Sequence, residues 1–550
     1  MLRQPDPLPL PDDSASAAAM PLPDFHALPD LIADHARQRP TAPALICGDD
    51  RLDFAGLDAA MDQVAATLQR DGCRPGDTIA ICALACNAYL VLFMGALRAG
   101  LAVVPLAPGS TPAQIAAMAA DAGARHLFLD AASALAVPAE LTGPGLQRIR
   151  LDRADPNADP QAEPQAHPLD AGETRLDDWL TPAGSPPQAV HIQPQWPFNI
   201  IYSSGTTGTP KGIVQPHVMR WAQVRRAEAG GYGPATVTLI ATPLYSNTTL
   251  VVVVPTLARG GCLVLMPKFD CAQYLALAQT HRATHTMLVP VQYQRLMQWP
   301  DFDRHDLGSF KFKACTSAPF RAELKAELLR RWPGGLTEYY GMTEGGGSCI
   351  LNCHLHPDKL HTVGQPAENH DIRLIDELGQ ELPRGPDQTG EVVGRSPAMM
   401  NEYHNQPARS RDAEWHDALG RRFIRTGDVG RFDEDGFLIL MDRRKDMIIS
   451  GGFNIYPSDL ETELRAHPAV ADVAVVGVPS AEWGETPVAF VVRHPDHFDE
   501  ADSLRLWMNE RVGKTQRLAD LKLVDELPRS AIGKVLKREL RDAYRPAALG

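Results

Sequence analysis

Residues 198–212 read FNIIYSSGTTGTPKG, a strand-like apolar run that leads into ten residues rich in serine, threonine and glycine. Glycine permits positive φ angles and a close approach of the backbone, so successive N–H groups can converge on an oxyanion. The hydroxyl groups supply further donors, and Lys211 supplies a positive charge. The stretch therefore predicts a loop that cradles a polyphosphate, although it lacks the Gly–Lys–Ser/Thr ending of a Walker loop. An ordinary surface loop is the alternative.

The sequence on both sides of this loop alternates between strand-like and helix-like segments. Residues 57–70 place apolar side chains on one helical face, and residues 112–122 also have a helical pattern. Such alternation predicts an α/β fold with mostly parallel sheets that are covered by helices. Expected strands lie at 78–82, 101–104, 126–129 and 198–202, and further apolar runs lie at 237–241, 250–254, 262–266 and 287–289.

Composition changes along the chain predict its domain organisation. Residues 1–25 are rich in Pro, Asp and Ala, which predicts a flexible tail. Residues 26–441 are expected to form a large N-terminal domain, in which the Pro-, Asp- and Gln-rich stretch 153–195 forms a surface loop. The dense charge at 442–446 predicts a hinge, followed by a small mobile α/β domain at 447–550 with its clearest strand at 473–478.

Charge and cysteine content exclude several classes of protein. The net charge of −14 disfavours nucleic acid or an anionic membrane as the main partner. Nine cysteines spread over a long chain favour reduced thiols, and the N-terminus has no signal-peptide pattern. The apolar stretch 89–107 is interrupted by Arg98, which favours a buried helix and strand over a membrane span. We therefore expect a cytoplasmic protein.

Three further motifs carry polar groups suited to a nucleotide. In YYGMTEG (339–345), Glu344 beside a hydroxyl suits Mg²⁺, and Tyr340 offers a stacking face for a base. In RTGD (425–428), Asp428 follows a tight glycine turn and can accept both hydroxyls of a ribose. In PRSAIGK (528–534), Lys534 on a turn of small residues can reach an anion. Taken alone, the first motif is explained equally well by a turn with a solvated glutamate, the second is better explained by a capped turn, and most lysines in a setting like the third are merely solvated.

Together and in this order, the motifs resemble the adenylate-forming superfamily, which includes acyl-CoA synthetases, adenylation domains of nonribosomal peptide synthetases and beetle luciferases. The resemblance spans nearly the whole chain, from HARQRP at 35–40 to Lys534. It implies an enzyme that uses ATP and Mg²⁺ to convert a carboxylic acid into an acyl-adenylate. The acyl group is then expected to pass to the thiol of coenzyme A.

The resemblance also implies roles for single residues around the nucleotide. Phosphate-loop residues are expected to hold the phosphates of ATP: Ser203, Ser204, Gly205, Thr206, Thr207, Gly208 and Lys211. Other residues are expected to contact the adenine (Tyr340 and Ala318), a phosphate (Thr343), Mg²⁺ (Glu344), the ribose (Asp428) and the nucleotide as a whole (Arg443). Ser317 stands where the family usually has glycine.

Four of these groups are expected to matter most for the chemistry: Lys534, Glu344, Thr206 and Lys211. Lys534 matches the lysine that bridges the substrate carboxylate and the α-phosphate during adenylation. Lys445 matches the residue about which the C-terminal domain rotates, and Gly452 matches the glycine beside the incoming thiol. No covalent nucleophile is expected, because AMP is already a good leaving group.

The acyl site is where the sequence is least informative. Candidate lining residues are His217, Tyr245, Ser246, Gly345 and Gly346. Ser246 stands where histidine is common in acyl-CoA synthetases, which puts that histidine's role in doubt. The glycines suggest room for an aromatic, alicyclic or medium-chain acid, and no basic residue stands out that would bind a second carboxylate. His217 fits a structural histidine equally well.

Other functions remain as alternatives. A free-standing enzyme that loads a carrier-protein phosphopantetheine thiol is the nearest, although no fused carrier segment follows Lys534. Luciferase-like oxygenation and a binding protein without catalysis are less favoured. The cluster of Cys349, Cys353, His354 and His356 has a spacing that fits no common zinc finger well. A homodimer is a candidate assembly.

Overall fold

The structure is a computed structural model that describes residues 24–138, 145–151, 169–170, 172–203, 211–443, 446–450, 453–480, 483–513, 516–530 and 533–545. For residues 442–443 and 453–454 it describes the backbone alone. The chain divides into two compact units. The first comprises Met1–Leu360, Ala367–Asp371 and Gly394–Ile424, and the second comprises His361–Pro366, Ile372–Val393 and Arg425–Gly550. Most of the expected tail at 1–25 lies outside the described residues.

Helices and strands alternate through the first 360 residues. The helices are α1 (Leu28–Gln38), α2 (Phe54–Arg70), α3 (Asn87–Arg98), α4 (Pro112–Asp121), α5 (Ala131–Ala136), α6 (Leu176–Trp179), α7 (His217–Arg226), α8 (Asn247–Ala258), α9 (Cys271–Thr280), α10 (Pro290–Met297) and α11 (Ala322–Arg331). The strands are β1 (Pro43–Cys47), β2 (Asp50–Asp53), β3 (Thr78–Cys82), β4 (Ala102–Leu106), β5 (Ala124–Leu129), β6 (Gln147–Arg150), β7 (Glu173–Arg175), β8 (Pro197–Ser203), β9 (Lys211–Pro216), β10 (Val237–Ile240), β11 (Cys262–Leu265), β12 (His285–Leu288), β13 (Phe312–Cys315), β14 (Gly335–Tyr340) and β15 (Cys349–Asn352).

The remaining elements follow from residue 361 onward. The strands are β16 (Gln365–Pro366), β17 (Asp371–Ile375), β18 (Glu381–Leu382), β19 (Gly390–Arg395), β20 (Glu402–Tyr403), β21 (Glu414–His416), β22 (Arg422–Phe432), β23 (Leu438–Arg443), β24 (Ile448–Ser450), β25 (Phe453–Ile455), β26 (Val470–Ser480), β27 (Gly484–Arg493) and β28 (Asp520–Leu523). The helices are α12 (Pro407–Asp412), α13 (Pro457–Arg465), α14 (Ala501–Asn509) and α15 (Lys537–Ala543).

Two sheets form the framework of the first unit. One has the order β20-β9-β8-β4-β3-β5-β6-β7, in which β8, β4, β3, β5, β6 and β7 run parallel and the β8–β9 and β9–β20 pairs are antiparallel. The other contains β15-β14-β13-β12-β10-β11-β1-β2, which is parallel from β14 to β1. The predicted α/β fold with mostly parallel sheets is confirmed.

The apolar stretch 89–107 forms helix α3 and strand β4, as predicted for a buried helix that leads into a buried strand. Both elements lie in the core of the first unit, where Phe93, Leu97 and Val103 are fully buried. Within the described parts of the chain, every helix falls short of the length or apolarity that a bilayer crossing requires.

Two segments differ from the sequence expectation. The apolar run at 250–254 lies in helix α8, which is buried on nearly all sides and therefore lacks an amphipathic period. Within 153–195, expected as a surface loop, β7 extends the first sheet and α6 buries Trp179. The Trp179 indole donates to Asp71 Oδ2 at 2.7 Å, so one aromatic anchor orders a sequence with few aliphatic residues.

The second unit contains two smaller sheets. The first has the order β18-β17-β19-β22, with β23 beside β22. The second has the order β25-β24-β27-β26, with β28 parallel to β27. Apolar clusters cover both faces of the second sheet, and they draw on α13 and α14 at one face and α15 at the other.

Candidate active site

Strands β8 and β9 form an antiparallel pair that fixes the two ends of the phosphate loop. Ser203, the last residue of β8, pairs with Lys211, the first residue of β9. The Ser203 hydroxyl is buried and has no hydrogen-bond partner among the described residues. Five of the predicted loop contacts lie outside the described residues: Ser204, Gly205, Thr206, Thr207 and Gly208.

Lys211 belongs to a compact cluster with Glu344 and Tyr403. Its Nζ donates to Glu344 Oε1 and to the Tyr403 hydroxyl, each at 2.8 Å, and that hydroxyl donates to the same Oε1 at 2.7 Å. Glu344 is only 5% exposed. Burial and the adjacent carboxylate raise the pKa of Tyr403 well above its usual value, so it remains a neutral donor. The structure thus brings together two predicted site residues and a third that the sequence did not reveal.

The backbone of the motif containing Glu344 explains why Tyr403 reaches it. Gly345 has a φ of 75° and forms a bridge with Met399, and a side chain there would collide with the carbonyl of Ala398. The Met400 N–H donates to the Glu344 carbonyl at 2.8 Å. Glycine at 345 therefore lets the segment that ends in β20 lie directly against the motif.

A second polar cluster lies behind Thr343. Gln215 of β9 donates to the Thr343 carbonyl at 2.6 Å and is itself bound by the Arg220 guanidinium. Arg220 also donates to Asn199 and to Asn247, each at 2.9 Å. It is 1% exposed, and burial lowers its pKa to about 9. These acceptors are all amide oxygens, so within the described part of the chain no carboxylate neutralises this buried cation.

The ends of β13 and β14 position the predicted adenine-contacting residues. Ser317, with a φ of 82°, occupies the left-handed region, a conformation that glycine adopts most readily. Its hydroxyl lies 2.5 Å from that of Thr248, and the Thr316 hydroxyl donates to the Tyr339 carbonyl at 2.7 Å. Ala318 and Tyr340 therefore sit on neighbouring, cross-linked strand ends.

The predicted acyl-site residues have different environments. His217 is buried edge-on against Phe198, and burial lowers the pKa of His217 to about 3. The Ser246 hydroxyl accepts from the Thr248 N–H at 3.3 Å and caps helix α8. Tyr245 is half-buried, which raises its pKa.

The glycines of the acyl segment do not create open space. A side chain at Gly345 would meet the Ala398 backbone, and one at Gly346 would meet Ile424 at 2.9 Å. Both glycines have positive φ angles. Close packing of the backbone therefore requires glycine at both positions. These glycines are not evidence that the acyl pocket has room for a ring.

The second unit holds the remaining nucleotide candidates. Asp428 follows Gly427, whose φ is 72°, and the Asp428 N–H donates to the Thr426 hydroxyl oxygen at 3.0 Å. In the β22–β23 pair, Asp428 is the register partner of Arg443. Lys534 closes a turn in which Ser530 donates to its carbonyl at 2.8 Å. Lys445 and Gly452 lie outside the described residues.

The cysteine–histidine cluster after the YYGMTEG motif has no metal-binding geometry. In the described ranges, no group of three or more potential ligands converges. Cys349 and Cys353 are buried, and burial raises the pKa of Cys353 to about 12. His354 Nδ1 instead lies 3.2 Å from the Leu336 carbonyl.

Comparison with known proteins identifies the family of the chain. The family described as AMP-binding enzyme matches residues 32–404, and the AMP-binding enzyme C-terminal domain matches residues 459–534. A feruloyl-CoA synthase from an Amycolatopsis species is 31% identical over 514 residues, which cover 92% of this chain and 97% of that protein.

Two further matches extend the comparison. The fatty acid–acyl-carrier-protein ligase ScoC of Streptomyces coeruleorubidus is 28% identical over 532 residues, which cover 95% of this chain and 97% of that protein. The solved structure of ATP-bound MatB from Rhodopseudomonas palustris matches with a TM-score of 0.81 at 28% identity, covering 94% of this chain and 99% of that one.

Proposed function

The chain belongs to the AMP-binding enzyme family and is an AMP-forming acid–thiol ligase, and we propose that its acceptor thiol is that of coenzyme A. The observation that carries the adenylation step of this proposal is the cluster of Lys211, Glu344 and Tyr403 at the foot of the phosphate loop, which supports binding of the ATP phosphates through a cation and a buried carboxylate. The relative named feruloyl-CoA synthase supports coenzyme A as the acceptor.

The reaction has two steps. An oxygen of the substrate carboxylate attacks the α-phosphorus of ATP, the bond to the bridging oxygen breaks, and pyrophosphate leaves with the electron pair. The thiolate sulfur then attacks the carbonyl carbon of the acyl-adenylate, and AMP leaves. Negative charge accumulates in the first transition state, so Lys211 and Lys534 are proposed to stabilise that step.

Glu344 is the residue that would hold Mg²⁺. Its carboxylate is a hard oxygen ligand, and the hydrogen bonds from Lys211 and Tyr403 both use the same oxygen, Oε1, which leaves Oε2 for an ion. When bound, Mg²⁺ would supply positive charge to the phosphate oxygens. Tyr403 and Lys211 hold the carboxylate in place.

The acyl substrate is proposed to be an aromatic, alicyclic or medium-chain acid. A relative named feruloyl-CoA synthase supports an aromatic acid, and a relative named long-chain-fatty-acid–CoA ligase supports an aliphatic one. A panel of such acids, screened by pyrophosphate release, would rank the classes. The carrier-protein alternative is supported by the relative named for an acyl-carrier-protein acceptor.

Product analysis tests the proposed function directly. The enzyme is incubated with ATP, Mg²⁺, an accepted acid and either coenzyme A or a phosphopantetheinylated carrier protein. We expect AMP, pyrophosphate and acyl-CoA. ADP and phosphate as products would refute adenylation, and thioester formation on the carrier protein alone would favour the alternative acceptor.

A further inference from the structure

The C-terminal end of α7 carries an arginine without a carboxylate partner. The Arg226 guanidinium lies over the ring of Tyr339, 5.2 Å from its centroid. Arg226 is half-buried, and no carboxylate of the described residues forms an ion pair with it. The ring attracts the cation but does not neutralise its charge. A partly desolvated guanidinium in this state favours an anion that comes from outside the chain.

His370 adds a second donor beside this arginine. The Ser348 N–H donates to His370 Nδ1 at 2.9 Å. Burial, together with the positive charge of Arg226, lowers the pKa of His370 to about 3, so the ring is neutral. Because Nδ1 accepts a hydrogen bond, the single ring proton resides on Nε2. Among the described residues, no acceptor takes that proton.

Both residues lie next to the segments expected to line the acyl site. Tyr339 directly precedes Tyr340 and Gly341 at the end of β14. Ser348, whose N–H donates to His370, follows the acyl-site candidates Gly345 and Gly346 within three residues. The contacts of Arg226 and His370 are therefore made with the two ends of the segment 339–348, which carries those candidates.

The chemistry of the pair selects one kind of ligand. The guanidinium fork and the His370 Nε2–H are both donors only, and the fork matches the two oxygens of a carboxylate. A phenol or alcohol oxygen could accept one of these hydrogen bonds, but it carries no charge that would neutralise the guanidinium. An apolar end of the substrate would leave the guanidinium and the imidazole N–H without hydrogen-bond partners once the substrate is bound.

We propose that Arg226 and His370 bind a second carboxylate, at the end of the substrate remote from the reacting carboxyl group, so that the preferred substrates are dicarboxylic acids. The inference rests on the proposed function and narrows its substrate class. It also replaces the sequence-based expectation that no basic residue lines the acyl site, because the contact of Arg226 with Tyr339 exists only in the tertiary structure.

Matched acids test the proposal on the full-length enzyme. Pyrophosphate release gives kcat/KM for octanedioic acid against its monomethyl ester and octanoic acid, and for 4-carboxycinnamic acid against 4-hydroxycinnamic and cinnamic acids. We expect at least one dicarboxylate to exceed its matched monoacids by about 10- to 100-fold, the range of a charge-assisted pair. If no dicarboxylate exceeds its matched acids while monoacids are adenylated, the inference is wrong and the proposed function stands.

Variants assign the preference to the arginine. Arg226→Gln should remove most of the dicarboxylate advantage and leave kcat/KM for the monoacids within about threefold. Arg226→Lys, which keeps the charge without the fork, should retain part of it. The exposed neighbour Arg225 supplies the control, since Arg225→Gln should change neither value. An equal loss for both kinds of acid in Arg226→Gln and Arg226→Lys, at an unchanged melting temperature, would overturn the assignment.

Discussion

At the scale of single residues, Tyr403 makes a testable contribution to the phosphate site. Removing its hydroxyl leaves Glu344 Oε1 with Lys211 alone. A hydrogen bond to a charged group contributes about 1.5–3 kcal/mol. Tyr403→Phe should therefore lower the free energy of unfolding by about that amount and raise the KM for ATP.

The matched control is Tyr293→Phe. Tyr293 is also buried, and its hydroxyl donates to the Ala314 carbonyl at 2.9 Å, away from the cluster. Urea unfolding should report a loss of stability, and steady-state kinetics should report an unchanged KM for ATP. An unchanged KM in Tyr403→Phe as well would make Tyr403 a purely structural residue.

Asp428 is a second residue whose role can be measured. A carboxylate that accepts two ribose hydroxyls contributes about 1.5–3 kcal/mol per charge-assisted bond. Asp428→Ala should therefore raise the KM for ATP by at least tenfold. The same KM in the variant and the parent enzyme would identify Asp428 as a turn residue after Gly427.

At the scale of elements, helix α7 carries polar side chains into the interior at a spacing of three residues. His217, Arg220 and Gln223 are buried, and Arg226 completes the stripe. Consecutive i, i+3 positions lie on one face of a helix. The face that a sequence pattern would assign to solvent thus forms a polar seam between β9, α8 and the Thr343 motif.

From this polar seam we predict that Arg220 stabilises helix α7 in its place and positions Thr343. Arg220→Met would remove a donor from the oxygens of Asn199, Gln215 and Asn247. Gln215 and Asn247 would each keep one amide donor, whereas the Asn199 oxygen would lose its donor among the described residues, and a buried unsatisfied group costs about 1–3 kcal/mol. We expect a loss of about 1–3 kcal/mol in unfolding free energy and a higher KM for ATP. Arg225→Met, on the exposed face, should leave both unchanged, and a fully stable Arg220→Met would refute the role of the seam.

At the scale of the whole molecule, three buried histidines predict acid sensitivity. Burial lowers the pKa of His217 and of His370 to about 3, and that of His285 to about 4. In the unfolded chain each titrates near 6.5, so below that pH the unfolded state binds more protons and stability falls. Glu338 acts in the opposite direction, because burial raises its pKa to about 7.

The net effect can be measured by urea unfolding between pH 6.5 and pH 4.5. The unfolded chain binds protons at the three histidines, and the folded protein binds one at Glu338. As the pH is lowered, the free energy of unfolding should therefore fall by at most about 3 kcal/mol per pH unit. In His217→Phe the slope should decrease by about 1.4 kcal/mol per pH unit. An identical slope in the variant would mean that His217 titrates normally in the folded protein.

Lys534, which belongs to the second unit, is the residue proposed to act in the adenylation step. Its charge should matter only where negative charge builds up, which is the adenylation step. Lys534→Ala should therefore slow adenylate formation from acid and ATP by roughly 10²–10³ and leave thioester formation from supplied acyl-adenylate nearly unchanged. An equal loss in both steps, with a melting temperature that matches the parent, would contradict this division of labour.

The sequence by itself determined the fold class, the strand that precedes the Ser/Thr/Gly loop, the family and the helix–strand pair at 89–107, because these depend on local periodicity and on motifs of consecutive residues. Tertiary structure alone joined Lys211 to Tyr403, which lie 192 positions apart in the chain. It also placed Arg226 over Tyr339, made a helix of residues 250–254 and buried Trp179 in an apparent loop. The physical reason is that such contacts depend on how whole elements pack, and the spacing of residues along one element carries no record of which partner will lie against it.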